Sequence, residues 1–242
     1  MIIAVLLEQV LVLFINDMGK VVNSVLRLSG LAIKLASGPE GLMMGSNLTG
    51  WSTSLNDTDE RIILASASPR RRQLLSLMGV SFRVVTSDAD ESIQPGESPV
   101  ALAQRLSVAK AEAVAGVYPG AVVIAADTMV VLDGEILGKP ADERMAFEML
   151  SRLRAREHLV YSGLVLLDSM RGRRLIQVAR TPVRMRDYTD AEILRYVASG
   201  DPLDKAGAYA IQYQAFSPVA LINGCYANVM GLPMCHLYRG LK

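Results

Sequence analysis

The sequence is poor in the side chains that most often bind metals or staple a fold. Its 242 residues include two cysteines and two histidines. Cys225 and Cys235 lack the close pairing of a zinc site or a CxxC redox motif. Two cysteines in a chain this long do not make a disulfide scaffold, so a reducing, cytoplasmic compartment is the expected location. His158 and His236 are too far apart in sequence to suggest a metal pair and read as structural or surface residues. Net charge is nearly absent as well: 25 Lys and Arg against 24 Asp and Glu leave a formal +1. That gives no general reason to expect nucleic acid or an anionic membrane as a partner, and any anion binding must be local. Ile2 to Ile15 is strongly apolar but is broken by Glu8 and Gln9. It is shorter than the roughly 20 residues of a membrane span. It also has no positive region before it and no small-residue cleavage site directly after it. No stable membrane insertion is therefore expected. No internal repeat is present.

What the chain does have is the composition of a globular protein, with 51% apolar and 20% charged residues. Residues 1–60 differ in character from the rest. A second apolar stretch, Val21 to Leu35, contains Arg27 and Lys34, and Gly38 to Asp59 has the Gly, Ser, Asn and Thr of a linker. This part reads as a poorly ordered, dispensable extension. From Arg61 onward the elements alternate in an α/β rhythm, so 61–242 is expected to be a folded α/β domain. Strands are predicted at Phe82 to Thr86, Ala121 to Leu132, His158 to Leu167 and Leu175 to Met185. Helices are predicted from Ser98 to about Val117, from Asp142 to Leu153, and from the Thr189–Glu192 capping box to Gly200. Asp133-Gly134 is a hairpin turn signal. Val219 to Ile222 and Tyr226 to Met230, around Asn223-Gly224, predict a last hairpin, and Pro233 opens a terminal helix.

The most informative stretch is Ile62 to Arg72, Ile-Ile-Leu-Ala-Ser-Ala-Ser-Pro-Arg-Arg-Arg. An apolar strand feeds a helix that Ser68 caps, that Pro69 begins and that Gly79 is placed to end. A helix N-terminus carries free N–H groups and a partial positive charge. Ser66, Ser68, Arg70, Arg71 and Arg72 gather at that same end. The pattern suits a phosphate cradle, and equally a capped surface helix with a solvated basic turn.

Several charged residues also need an explanation. Asp127 follows the apolar run Val122 to Ala126. A carboxylate at the end of such a strand must be paired, hydrogen-bonded or metal-bound. It is either a structural strand-end residue or a base at a cleft. Asp88, Asp90 and Glu91 form an acidic cluster after the second strand. Such clusters are usually solvated, but magnesium takes hard oxygen ligands, commonly one or two carboxylates with phosphate. Lys139 sits between Gly138 and Pro140, which fix a bend that could aim it inward. Lys110 lies in a mostly apolar helix and could simply snorkel. The arginines of the loop Asp168 to Arg174 read as a solvated turn.

Ser66-Ala67-Ser68-Pro69-Arg70-Arg71, Ala126-Asp127-Thr128, Leu137-Gly138-Lys139-Pro140 and Asp204-Lys205-Ala206-Gly207-Ala208-Tyr209 resemble the signature blocks of the Maf family of nucleoside triphosphate pyrophosphatases. The resemblance covers Arg61 to about Leu241. It implies a mixed-sheet, two-lobed α/β fold similar to the inosine-triphosphate pyrophosphatases, with a cleft between the lobes. It also implies a homodimer and a divalent metal cation, Mg or Mn. Ala126-Asp127-Thr128, Arg70, and Ala208-Tyr209-Ala210-Ile211-Gln212 resemble the dTTP/UTP branch. The 7-methyl-GTP branch tends to carry Ser-Asp-Gln and an aromatic residue in place of Arg70.

By this resemblance Asp127 is the proton acceptor, and Glu91 and Asp127 hold the metal. Ser66, Ser68, Arg71, Lys110 and Lys139 bind phosphate, and Arg70, Thr128 and Gln212 set substrate specificity. The family commonly has Gly where Ala210 and Tyr213 stand, which bears on base preference. Other readings are a pyrophosphatase with purine or modified-base preference, a nucleotide-binding regulator of cell division without turnover, and a form attached to a membrane through residues 1–35. Asp127, Lys139 and Glu91 speak against the pure binder, which needs no base.

Overall fold

Strands buried on both faces must be apolar at successive positions, and the central strands here are built that way. The computed structural model describes residues 61–241. The extension 1–60, with its apolar stretches, lies outside the described residues. Strand β1 (Ile62–Ala65) is buried at every position. It lies parallel between β2 (Arg83–Val85) and β3 (Val122–Leu132). The rest of the sheet is antiparallel: β3 pairs with β4 (Glu135–Leu137) and β5 (Glu157–Asp168), β5 with β6 (Arg173–Met185), and β6 with β7 (Val219–Ile222). The result is one mixed seven-stranded sheet in the order β2-β1-β3-β5-β6-β7, with β4 paired to β3 off that path.

Period-two alternation sorts the core onto the two faces. Ile63, Val123, Ala125 and Val165 pack under helix α2 (Pro99–Val117). Ile62, Leu64, Ile124, Ala126, Leu164 and Leu166 face α1 (Pro69–Ser76), α5 (Tyr226–Val229) and α6 (Met234–Gly240). Further along, Val130, Leu132 and Leu137 join α3 (Glu143–Leu153) and α4 (Asp190–Val197) in a separate cluster rich in Tyr and Phe. Helix α2 rides very close to the sheet at Gly163. A Cβ there would lie 2.0 Å from the Ala103 carbonyl oxygen and 2.5 Å from Ser107 Oγ.

The caps are those the sequence announces. Ser68, Ser98, Asp142 and Thr189 each accept a backbone N–H at a helix start, and Thr189 and Glu192 close a capping box. Asp133 and Gly134 both take positive φ in the β3–β4 turn. Two readings are corrected. The segment Tyr226 to Met230 holds helix α5 (Tyr226–Val229) and no strand: buried Asn228 reaches the Val160 carbonyl and Thr181 Oγ1, anchoring the segment on the sheet face. Asp127 lies mid-strand, because β3 runs on to Leu132 along β5. The arginines of the turn after β5 are exposed as read, and buried Asp168 closes the turn by accepting from the Arg171 backbone and guanidinium. The Cys225 and Cys235 sulfurs lie 3.6 Å apart as free thiols. Among the described residues no helix is long and apolar enough to cross a membrane.

One topological detail places the site. β3 pairs with β5 from Val122 to Val131 along one edge. Along the other edge it pairs with β1 only from Val122 to Ile124, and with β4 only from Val130 to Leu132. Between these partners the edge is open, beyond the carboxyl end of β1. Such a gap is where ligands enter open α/β sheets. Asp127 and Thr128 sit in it.

Candidate active site

Adjacent residues of a strand point to opposite faces, so Asp127 and Thr128 organise two different groups around the open edge. Asp127 faces α2. Opposite it on β5 is Gly163, whose bare backbone lets α2 approach. Lys110, on the buried face of α2, thereby reaches the Asp127 carboxylate at 2.5 Å. The same ammonium lies 2.7 Å from Glu91. Both lysine and aspartate are largely buried, with side chains 10% and 13% exposed. A lysine so placed is stable only with such partners, so Lys110 does not snorkel.

Glu91 comes from the loop after β2. Asp90 ties that loop by accepting from the backbone and hydroxyl of Ser92 at 2.9 Å each. Arg105 ties it further, bonding the Ser92 carbonyl at 2.8 Å while forming a two-pronged pair with Glu97. The hydrogen bond from Lys110 holds the Glu91 carboxyl below its ordinary pKa against partial burial, helped by the charges of Lys110, Lys139 and Arg71. Those charges place Lys139 and Arg71 in the field of the same carboxylate.

Thr128 faces α1. Its hydroxyl meets Ser162 Oγ at 2.7 Å, directly across the ladder, and lies 3.2 Å from the Gly231 carbonyl. Arg71 locks this group together. It donates to the Gly231 carbonyl at 2.7 Å, to Ser66 Oγ at 3.1 Å and to Thr128 Oγ1 at 3.2 Å. Ser66 Oγ also accepts the Ser68 N–H, and Ser68 Oγ accepts the Arg71 N–H. Burial lowers the Arg71 pKa, with the charge of Asp127 raising it in opposition. Ser66, Ser68 and Arg71 thus bond to one another and to Thr128 and Gly231, with Arg71 and Ser66 as the frame of the helix start. Gly231 has a φ of +112°, and a Cβ there would stand 3.5 Å from Arg71 Nε.

Arg70 and the exposed Arg72 lie at the start of α1, and Lys139, also exposed, lies just past β4. Gln212 is exposed in a short turn in which the Ala210 carbonyl accepts the Tyr213 N–H at 3.2 Å. It is not brought into hydrogen-bond contact with Asp127, Lys110 or Glu91. Tyr213, at one of the positions where glycine was expected, packs its ring against Tyr196, with centroids 4.8 Å apart.

Among the described residues no cluster of three His, Cys, Asp or Glu could hold a metal ion by itself. The donor set nevertheless suits magnesium or manganese. Two carboxylates converge on one ammonium, and hard dications commonly take one or two carboxylates, completing their shell with water and substrate phosphate. Glu91 and Asp127 are the residues that would hold it.

Sequence reasoning did not single out Ser162, Gly163, Arg105, Asn228 or Gly231. A polar residue beside a glycine within a buried strand was the available signal for Ser162 and Gly163. The punctuation Gly231-Leu232-Pro233 was the signal for Gly231. Arg105 and Asn228 left none.

The family described as Maf-like protein matches residues 61–242 of the chain. The dTTP/UTP pyrophosphatase of Syntrophus aciditrophicus (strain SB) is 47% identical over 183 residues, covering 76% of this chain and 89% of that protein. The protein of the same name from Dictyoglomus turgidum (strain DSM 6724 / Z-1310) is 48% identical over 179 residues, covering 74% and 93%. A third, from Dehalococcoides mccartyi (strain ATCC BAA-2100 / JCM 16839 / KCTC 5957 / BAV1), is 50% identical over 182 residues, covering 74% and 80%.

Proposed function

The chain belongs to the Maf family, and on that premise we propose that it is a nucleoside triphosphate pyrophosphatase acting on dTTP and UTP. Water attacks the α-phosphorus, the bond to the α–β bridging oxygen breaks, and the products are the nucleoside monophosphate and pyrophosphate. The observation that carries the reading is the Lys110 ammonium held between Asp127 and Glu91 at the open edge of β3.

Hydrolysis of a phosphoanhydride needs positioning and charge neutralisation more than covalent chemistry. Asp127 orients the attacking water and accepts its proton. Lys110 fixes the Asp127 carboxylate and offsets one of the two negative charges beside it. Arg70 and Lys139 draw in the triphosphate and balance the leaving pyrophosphate. Arg71 and Ser66 keep Thr128 and the start of α1 in place around it. A magnesium or manganese ion held by Glu91 and Asp127 would supply further neutralisation of phosphate charge. Gln212 carries both a donor and an acceptor, which suits the Watson–Crick edge of uracil or thymine. The proposal includes a homodimer working in the cytoplasm, where the nucleotide pool is and where two free thiols persist.

The test is pyrophosphate release from dTTP, UTP, CTP, ATP, GTP and 7-methyl-GTP, each with magnesium or manganese. dTTP and UTP are expected to lead. Asp127→Asn should fold and lose about 10²–10⁴-fold in turnover. Preference for a purine, or binding of dTTP without turnover, would replace the proposal with one of the other readings. Near-normal turnover in folded Asp127→Asn would remove this residue from the mechanism.

A further inference from the structure

The turn that presents Gln212 is held by a side chain from a different helix. Tyr196 lies in α4 and is almost wholly buried. Its hydroxyl accepts the Ala210 N–H at 3.0 Å and donates to Asp201 Oδ2 at 2.6 Å. Its ring stacks on Phe216 at 4.5 Å and meets Tyr213 at 4.8 Å. One side chain thus touches both the first and the last residue of the Ala210–Tyr213 turn, with only Ile211 and Gln212 between them.

The contacts continue on the other side. Asp201 Oδ1 lies 3.0 Å from Lys205 Nζ, and the same buried ammonium lies 2.5 Å from Asp204 Oδ1 and bonds the Asp201 carbonyl. Partial burial raises the Asp204 pKa, but the hydrogen bond and charge of Lys205, with the charge of Arg70, bring it below its ordinary value. Ala210, Tyr196, Asp201, Lys205 and Asp204 form a continuous polar chain, with Gln212 near one end.

We propose that Tyr196 is a positioning residue for nucleobase selection: its hydroxyl, itself held by Asp201, fixes the Gln212 turn. The inference rests on the reading above that Gln212 meets the base. Discrimination between bases depends on donors and acceptors held where the wrong base leaves them unpaired, so a loosened turn discriminates less. The tyrosine hydroxyl is suited to this role because it can accept and donate at once. Removing it leaves the Ala210 N–H without its acceptor and Asp201 without one of its donors.

The experiment compares kcat and KM for dTTP and CTP in the full chain, Tyr196→Phe, Asp201→Asn, Gln212→Ala and the double variant Tyr196→Phe/Gln212→Ala. Phenylalanine keeps the ring contacts with Phe216 and Tyr213. Tyr196→Phe is expected to lower the dTTP/CTP ratio of kcat/KM about tenfold, the scale of one lost buried hydrogen bond. The loss should lie in KM for dTTP, with kcat little changed. Asp201→Asn leaves the ring untouched and should move the ratio the same way. The double variant should discriminate no worse than Gln212→Ala alone, because both changes remove one function. An unchanged ratio in Tyr196→Phe and Asp201→Asn beside a collapsed ratio in Gln212→Ala would overturn the role of Tyr196 and leave that of Gln212 intact. Unchanged ratios in all variants would overturn both. A uniform loss of kcat on every nucleotide would reduce Tyr196 to a packing residue and overturn the proposal.

Discussion

Acid should loosen this protein through one histidine. His158 lies on β5 with 2% of its surface exposed, and its Nε2 is 2.7 Å from the Tyr209 hydroxyl. Burial depresses its pKa from 6.5 to about 4. The unfolded chain therefore takes up this proton before the folded one does. Stability is complete above pH 6.5, drains as pH falls toward 4, and loses no more below that, where both states are protonated. At about 1.36 kcal/mol per pKa unit, the full swing is roughly 3 kcal/mol. About 2 kcal/mol of it falls between pH 7.5 and pH 5. With a urea slope near 2 kcal/mol/M, the unfolding midpoint should drop by about 1 M over that range. This window lies above the range where paired carboxylates lose their contribution. Glu192, for example, is held at about 2 by hydrogen bonds from the Thr189 backbone, Arg186 and the Thr189 hydroxyl, so its share is lost only below 4.5. The assay is urea unfolding at pH 7.5 and pH 5 for the protein and for His158→Gln, which cannot titrate. The variant should keep its midpoint across the two conditions to within a few tenths of a molar. An equal fall in both proteins would refute the reasoning and move the acid sensitivity elsewhere.

Two further expectations concern the arginines. Arg70→Ala should lower kcat/KM for dTTP far more than Arg174→Ala. Arg174 only pairs with Glu112 on the surface at 3.0 Å, a contact worth about 0–1 kcal/mol. Steady-state kinetics giving equal effects would mean that the basic residues act through general charge alone. Arg71→Lys keeps the charge but cannot reproduce three directed bonds to Gly231, Ser66 and Thr128. It should lower stability by about 1–3 kcal/mol in urea titration together with turnover, and a variant as stable and active as the parent would contradict the framing role.

What could be read in the sequence was local. The Ser68-Pro69 start of α1, the capping box at Thr189 and the Asp133-Gly134 turn are each determined within a few residues, and each is present as expected. Asp127 could be singled out because a carboxylate after five apolar residues demands a partner. Its partner could not be named, because Lys110 is delivered by a helix whose closeness depends on Gly163, on another strand. Arg71 shows the same limit. Its place at a helix start suggests phosphate, while its strongest contact is a carbonyl 160 residues away. Helix α5 was misread for a related reason. Tyr226 and Val229 favour strands locally, but the segment follows the buried contacts of Asn228 with β5 and β6.

The close seating of α2 at Gly163 also limits how the sequence can change. Ala103, whose carbonyl oxygen a side chain at 163 would strike, lies on the same buried face of α2 as Lys110, two helical turns earlier. Any side chain at 163 lifts that face from the sheet and draws the lysine back from Asp127. The two positions are therefore not independent variables. A glycine with no chemistry of its own, on a strand that gives the Lys110–Asp127–Glu91 group no acid or base, is a condition for lysine at 110 to be useful. A descendant that loses the glycine must find a longer cation at 110 or give up the contact. Gln104 and Glu112, exposed on the outer face of the same helix, carry no such obligation and are free to drift.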